Sequence, residues 1–142
     1  MTTPCPSHPR RAPIAVHTQA DALISVALAT NEGRDTCVVV ASLDRRRQPL
    51  FLLVVDEATP PDVVRALDLL IAMARGREPT VTDVFAACSG PAVAEPGDAE
   101  CVVLRALDRR AARAGITLLD WFMVGPGSVA SVGERAGWSP RW

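Results

Sequence analysis

The sequence predicts a single-domain mixed α/β layer fold, with one mixed, mainly antiparallel sheet flanked by helices. Three observations carry this. Apolar residues recur at helical and at strand-like spacing in the chain order α-β-β-α-β-α-β-β. The first two strand-like runs are joined by a short polar link, which makes them an antiparallel hairpin. Both runs are almost continuously apolar, and strands of that kind are buried on both faces, so helices are expected on each side of the sheet.

Residues 1–17 form an expected flexible leader. From Met1 to Val16 prolines and arginines alternate without periodicity, and order is expected from Thr18 to the end of the chain, 18–142. Thr18 is placed to cap a helix whose apolar face is Ala20, Leu23, Ile24, Ala27 and Leu28, with Asn31-Glu32-Gly33 as its stop. The hairpin follows as Thr36–Leu43 and Pro49–Val55, linked by Asp44-Arg45-Arg46-Arg47-Gln48.

Pro60-Pro61-Asp62 opens a second helix, because proline is tolerated in a first turn; Val63, Val64, Leu67, Leu70, Ile71 and Met73 supply its apolar face up to Gly76. Thr80–Cys88 reads as a third strand. A loop with Gly90, Pro91, Pro96 and Gly97 leads to Asp98, the expected cap of a long helix with Leu104, Leu107, Ala111 and Ala114 on one face. Gly115 ends that helix and Ile116–Val124 is the strongest strand. Gly125-Pro126-Gly127 turns into a short strand, Ser128–Ser131, and a last amphipathic turn carries Trp138.

Composition limits the function classes. The chain is 49% hydrophobic and 22% charged, too apolar for a disordered protein. Its 15 basic residues, all Arg, against 16 acidic ones leave a net charge of −1, so no global field draws it to nucleic acid or an anionic membrane. No apolar run approaches the ~20 residues of a membrane span. Cys5, Cys37, Cys88 and Cys101 show no C-x-x-C spacing, and Pro4, Pro6, Pro9, Arg10, Arg11 and Pro13 occupy the place of a signal peptide's apolar region. A cytoplasmic protein with reduced thiols is therefore expected.

The segment Arg113-Ala114-Gly115-Ile116-Thr117-Leu118-Leu119-Asp120, running into Trp121-Phe122-Met123-Val124-Gly125, resembles the closing segment of the RadC-like branch of the JAB/MPN domain family, where Gly-Ile-x-Leu-Leu-Asp-His leads to Val-Gly. The order of elements upstream is similar too, so the resemblance spans about residues 18–135. It implies the JAB/MPN, cytidine-deaminase-like architecture. Active members are zinc hydrolases with His-x-His at the end of the third strand, an Asp eleven residues after the second His, a Ser three before that Asp, and an upstream Glu acting on the zinc-bound water. Three ligands leave zinc an open position where bound water is acidified.

Matched without gaps from Asp120, the two His positions fall on Ala87 and Ser89, the Ser position on Gly97 and the Asp position on Glu100. A two-residue shift puts the histidines at Phe85 and Ala87 instead. Trp121 stands where this branch has its further histidine. The resemblance thus implies the scaffold with a degenerate metal site, and no cofactor is expected.

Other chemistries are open to the same residues. His8 and His17 both lie in or beside the leader. Cys88, Asp98, Cys101 and Trp121 are a candidate pocket, and Cys88, Asp98, Glu100 and Cys101 are close enough in such a fold to form a Cys/carboxylate metal site, or else to be ordinary buried thiols beside first-turn carboxylates. Cys88 or Ser89 as a nucleophile requires an adjacent base, and no histidine is placed to supply it. The loop around Ser89-Gly90-Pro91 and Pro96-Gly97-Asp98 is an anion cradle or a capped loop. Arg45-Arg46-Arg47 and Arg105, Arg109, Arg110 and Arg113 are phosphate-contacting patches or solvated faces partly paired with Asp44 and Asp108.

The leading expectation is a non-catalytic RadC-like scaffold serving as a binding or assembly module. The alternatives are a hydrolase with an atypical site at Cys88, Ser89, Asp98 and Glu100, and a DNA-associated accessory protein. The expected partner is a protein or a second copy. A homodimer would form through Trp138 and Trp142 or through an open edge strand, for which Ser128–Ser131 lacks protecting charge.

Overall fold

The computed structural model describes residues 15–93 and 95–142. Its elements are α1 (Gln19–Ala29), β1 (Cys37–Leu43), β2 (Pro49–Asp56), a 3-10 turn (Pro60–Asp62) leading into α2 (Val63–Ala74), β3 (Asp83–Ser89), α3 (Asp98–Arg113), β4 (Thr117–Gly125), β5 (Ser128–Ser131) and the short α4 (Val132–Arg135). The strands form one five-stranded mixed sheet in the order β2-β1-β3-β4-β5. Only β3 and β4 are parallel, joined through α3; the other three neighbouring pairs are antiparallel. No helix among the described residues is long and apolar enough to cross a membrane.

Each face of the sheet carries its own core. On one face α2 and α3 pack over Val38, Val40, Val84, Ala86, Cys88, Leu118, Trp121 and Met123. On the other, α1 covers Cys37, Val39, Ala41, Phe85, Ala87, Leu119, Phe122 and Val124. Every residue of β1 is buried, as the apolar run predicts. The expectation fails for β2: it is an edge strand, and its residues alternate between half-buried and exposed.

Thr18 caps α1 with a reciprocal pair, its hydroxyl accepting from Asp21 N while the Asp21 carboxylate accepts from Thr18 N. The face that α1 buries is not the predicted one. Ala22 and Val26 meet the sheet, while Leu28 is 82% exposed and Ile24 faces solvent with it. The helix is apolar nearly all round, so spacing alone does not choose between its stripes; the smaller residues allow the closer approach. The stop is as expected, with Asn31, Glu32 and Gly33 all at positive φ.

Three further boundaries differ. Order holds already at Val16, which is 1% exposed and donates its N–H to the Arg47 carbonyl at 2.8 Å, so the expected leader does not reach residue 17. Residues 1–14 of that leader lie outside the described residues. Gly97, not Asp98, is the N-cap of α3, and the Asp98 side chain is fully exposed. Met73 is exposed rather than part of the buried face of α2.

Strand β4 contains an irregularity that matters below. Val84 pairs with Leu118 but Ala86 pairs with Trp121, so two steps on β3 face three on β4. The extra residue is a β-bulge at Leu119-Asp120, which returns Trp121 to the same face as Leu118 and sets Asp120 at the end of β5.

Candidate functional site

The C-terminal ends of parallel strands beside a crossover helix are where open α/β sheets bind ligands. Here the end of β3, the loop after it, the 3-10 turn and the first turn of α3 enclose a pocket of about 310 Å³. Cys88, Gly90, Val93, Glu100, Pro60 and Met123 are among its lining residues. The wall is mainly apolar, and Glu100 supplies the one carboxylate on it.

The pocket sorts the candidate residues. Cys88 and Glu100 are brought to it together. Ala87 packs in the α1-side core, on the opposite face of the sheet from Cys88. Ser89 borders the pocket, but its register with Cys37 and Val124 puts its side chain on the α1 face, where Oγ is buried with no hydrogen-bond partner among the described residues. The positions of β3 that face the α3 side are therefore Ala86 and Cys88, not the Ala87 and Ser89, or Phe85 and Ala87, of the two sequence registers.

Gly97 lies at the N-cap of α3, and a Cβ there would sit 3.9 Å from Glu100 Oε2. Asp98 points away, 3.9 Å from Arg135 in an exposed pair. Cys101 is half-buried one residue beyond Glu100 and does not line the pocket.

Trp121, expected in the pocket, does not line it, and the hydrogen bond it makes instead was missed. Its indole Nε1 donates to Cys88 Sγ at 3.2 Å, both side chains buried. Burial pushes the Cys88 thiol up to about 12, against the lowering effect of the indole N–H. At neutral pH this sulfur is a protonated acceptor and neither a nucleophile nor a ready metal ligand. The signal was present in the sequence as a tryptophan in a strand, but its partner is 33 residues away.

Zinc needs three or four converging donors with the thiol ionised. Among the described residues no three of His, Cys, Asp and Glu come together. At the pocket only Cys88 and Glu100 are of ligand type, and the Cys88 sulfur already receives the indole N–H. His17 is exposed at the start of α1, and His8 lies outside the described residues. The residues present do not fit the zinc site that the resemblance implies.

A buried carboxylate outside the pocket was not singled out. Asp120 is 6% exposed and accepts from Trp121 N at 2.7 Å, Gly133 N at 3.0 Å and the Ser131 hydroxyl. Burial nevertheless holds its carboxyl above the ordinary value, outweighing the three donors. The Ser131 hydroxyl in turn accepts from Glu134 N, so Asp120 fastens the bulge of β4 to the start of α4. Every acceptor site has a structural task, and the group is a fastening.

The arginine patches are divided by the fold. Arg47 turns inward, 3.6 Å from Asp83 and donating to the Arg141 carbonyl at 3.2 Å, while Arg45 and Arg46 stay exposed. On α3, Arg110 pairs with Asp68 at 2.7 Å. The expected pairings with Asp44 and Asp108 are not made: Asp44 accepts from Arg46 N and Gln48 N, and Asp108 is taken by Arg141. Trp138 and Trp142 are both half-buried on their own domain. Trp142 stacks on Phe122 at 6.2 Å, and Arg141 lies 3.7 Å above the Trp138 ring. No family model and no curated protein matches this chain.

Proposed function

We propose that this chain is a RadC-like JAB/MPN scaffold without the zinc chemistry, and that it works as a binding module through the pocket at the end of β3. The observation that carries this reading is the Trp121–Cys88 hydrogen bond. It joins the position of the branch's histidine to a β3 position facing α3, and turns both into packed interior. The sequence of elements and the Gly-Ile-x-Leu-Leu-Asp segment support the family, and the loss of donor residues supports a role without catalysis.

The pocket's chemistry suggests what it receives. At about 310 Å³ it is at the lower end of the ~300–1,000 Å³ typical of small-molecule sites. With walls from Ala58, Pro60, Val93 and Met123, it suits a compact apolar group, with Glu100 able to accept a hydrogen bond at its margin.

Two measurements test the reading. Elemental analysis of the purified chain is expected to find well under one zinc per chain; one equivalent that disappears in Glu100→Ala or Cys88→Ala would overturn it. Titration with indole, followed by two-dimensional NMR, is expected to shift the Val93 and Met123 methyl signals, and Ala58→Leu or Val93→Trp is expected to abolish the shift. Signals unmoved at millimolar indole would remove the pocket from the proposal.

A further inference from the structure

Among the described residues the longer free edge of the sheet is β2, eight residues that pair only with β1. Exposed edges are normally blunted by charges, by proline or by a bulge. Here Pro49 and a bulge at Leu50 lie at the very start, and Leu50–Val55 runs without a charge. The edge is apolar on both faces. Leu52 is 54% and Val54 39% exposed on the α1 face, where they pair with Ala41 and Val39. On the other face Leu69 of α2, 50% exposed, stands beside Val55. The expected candidates for an interface are weaker: β5 has four residues, and the tail tryptophans are packed against their own domain.

The charges flanking this strand are arranged by sign. Arg45 and Arg46 are exposed before it, Asp56 and Glu57 are exposed at its end, and none of the four makes an ion pair among the described residues. A second copy laid antiparallel along β2 meets that pattern with its own, reversed. Centred on Leu52, the pairing sets Leu52 against Leu52 and Phe51 against Leu53, and brings Asp56 at the end of each strand beside the start of the other. The arginines of each copy then reach the other's Asp56 and Glu57. A parallel copy would bring arginine to arginine and acid to acid.

We propose that β2 pairs antiparallel with β2 of a second copy, giving a twofold homodimer whose sheet runs through both subunits and whose register is set by Arg45 and Arg46 against Asp56 and Glu57. The interface is isologous, as a twofold axis requires. It is independent of the β3 pocket, so the dimer stands or falls without the binding reading.

Sedimentation equilibrium of the full chain tests it through a charge exchange. Wild type is expected to be dimeric at tens of micromolar. Arg45→Glu with Arg46→Glu in one variant, and Asp56→Arg with Glu57→Arg in another, put like charges at both ends and are each expected to weaken the dimer by about tenfold or more. An equimolar mixture restores opposite charges at both ends and is expected to recover the dimer as a heterodimer. Leu52→Lys is expected to give a monomer with an unchanged circular dichroism spectrum. A wild type that stays monomeric at several hundred micromolar overturns the proposal. So does a dimer that survives in both charge variants, or a mixture that stays monomeric while both variants are folded.

Discussion

Trp121 Nε1 and Cys88 Sγ lie 3.2 Å apart between neighbouring parallel strands, each buried and each facing α2 and α3. The bond gives the indole N–H an acceptor, while burial, against the lowering effect of that N–H, keeps the sulfur protonated. Its consequences are measurable because the chain has unusually few groups that titrate in base.

With no Lys and no Tyr in the sequence, cysteines dominate the alkaline range. Cys88 is raised from 9.0 to about 12 by burial. A raised folded value gives stability that is complete below about pH 9, where both states are protonated, and that is lost as pH rises through about 12. A separation of about three pH units corresponds to ~4 kcal/mol as an order of magnitude. Urea unfolding at pH 8, 9.5 and 11 should show this decline, and Cys88→Ser should make it shallower. Cys37, also raised by burial, leaves a residual slope. In the native protein at pH 8 the Cys88 peptide should resist iodoacetamide.

Asp120→Ala should cost ~2–4 kcal/mol, because the N–H groups of Trp121 and Gly133 lose their acceptor in a buried place. Asp120→Asn keeps an oxygen for those donors and cannot ionise. The wild-type carboxyl is raised, so its contribution is full below about pH 4 and falls as pH rises through its folded value. The Asn variant should therefore gain on wild type between pH 4 and pH 7, as read by thermal unfolding. A gap independent of pH would contradict the assignment.

Gly33 and Gly127 should respond very differently to alanine. Both have positive φ, but a Cβ on Gly33 would fall 2.6 Å from the carbonyl of Gly125, whereas nothing lies within 4 Å of one on Gly127. Gly33→Ala is expected to cost ~3 kcal/mol or more, since backbone must move. Gly127→Ala is expected to cost only the ~1–2 kcal/mol of the left-handed conformation. Chemical denaturation of the two variants side by side decides it.

The C-terminal residues should contribute to stability rather than wait for a partner. Trp142 covers Phe85 and Phe122, and Arg141 donates to the Leu118 carbonyl and to Asp108, both at 2.9 Å. Trp142→Ala is expected to lower stability by ~2 kcal/mol, about half the cost of a fully buried aromatic. A loss near zero would return this ring to the list of contact surfaces.

The local pattern by itself determined the elements and their order. Thr18 as a cap, the Asn31-Glu32-Gly33 stop, the hairpin from Cys37 to Asp56, the Pro60-Pro61 helix entry and the Gly115 stop are all decided by propensities and hydrogen bonds within a few residues. The apolar run of β1 is consistent with its full burial but did not distinguish it from β2. The absence of histidine from the third strand was equally plain in the chain.

What only the tertiary structure decided is which way each residue faces and what it meets there. One bulge at Leu119-Asp120 reverses the facing of all that follows, so Trp121 enters the core of α2 and α3 and finds Cys88. Alternation along β3 turns Ala87 and Ser89 to the α1 face, away from Cys88. Strand order made β2 an exposed edge and exposed Ile24 and Leu28 on α1, although their sequences are as apolar as buried ones. Hydrophobic pattern records how much surface must be buried; the pairing of distant strands, set by packing across the whole domain, chooses which surface that is.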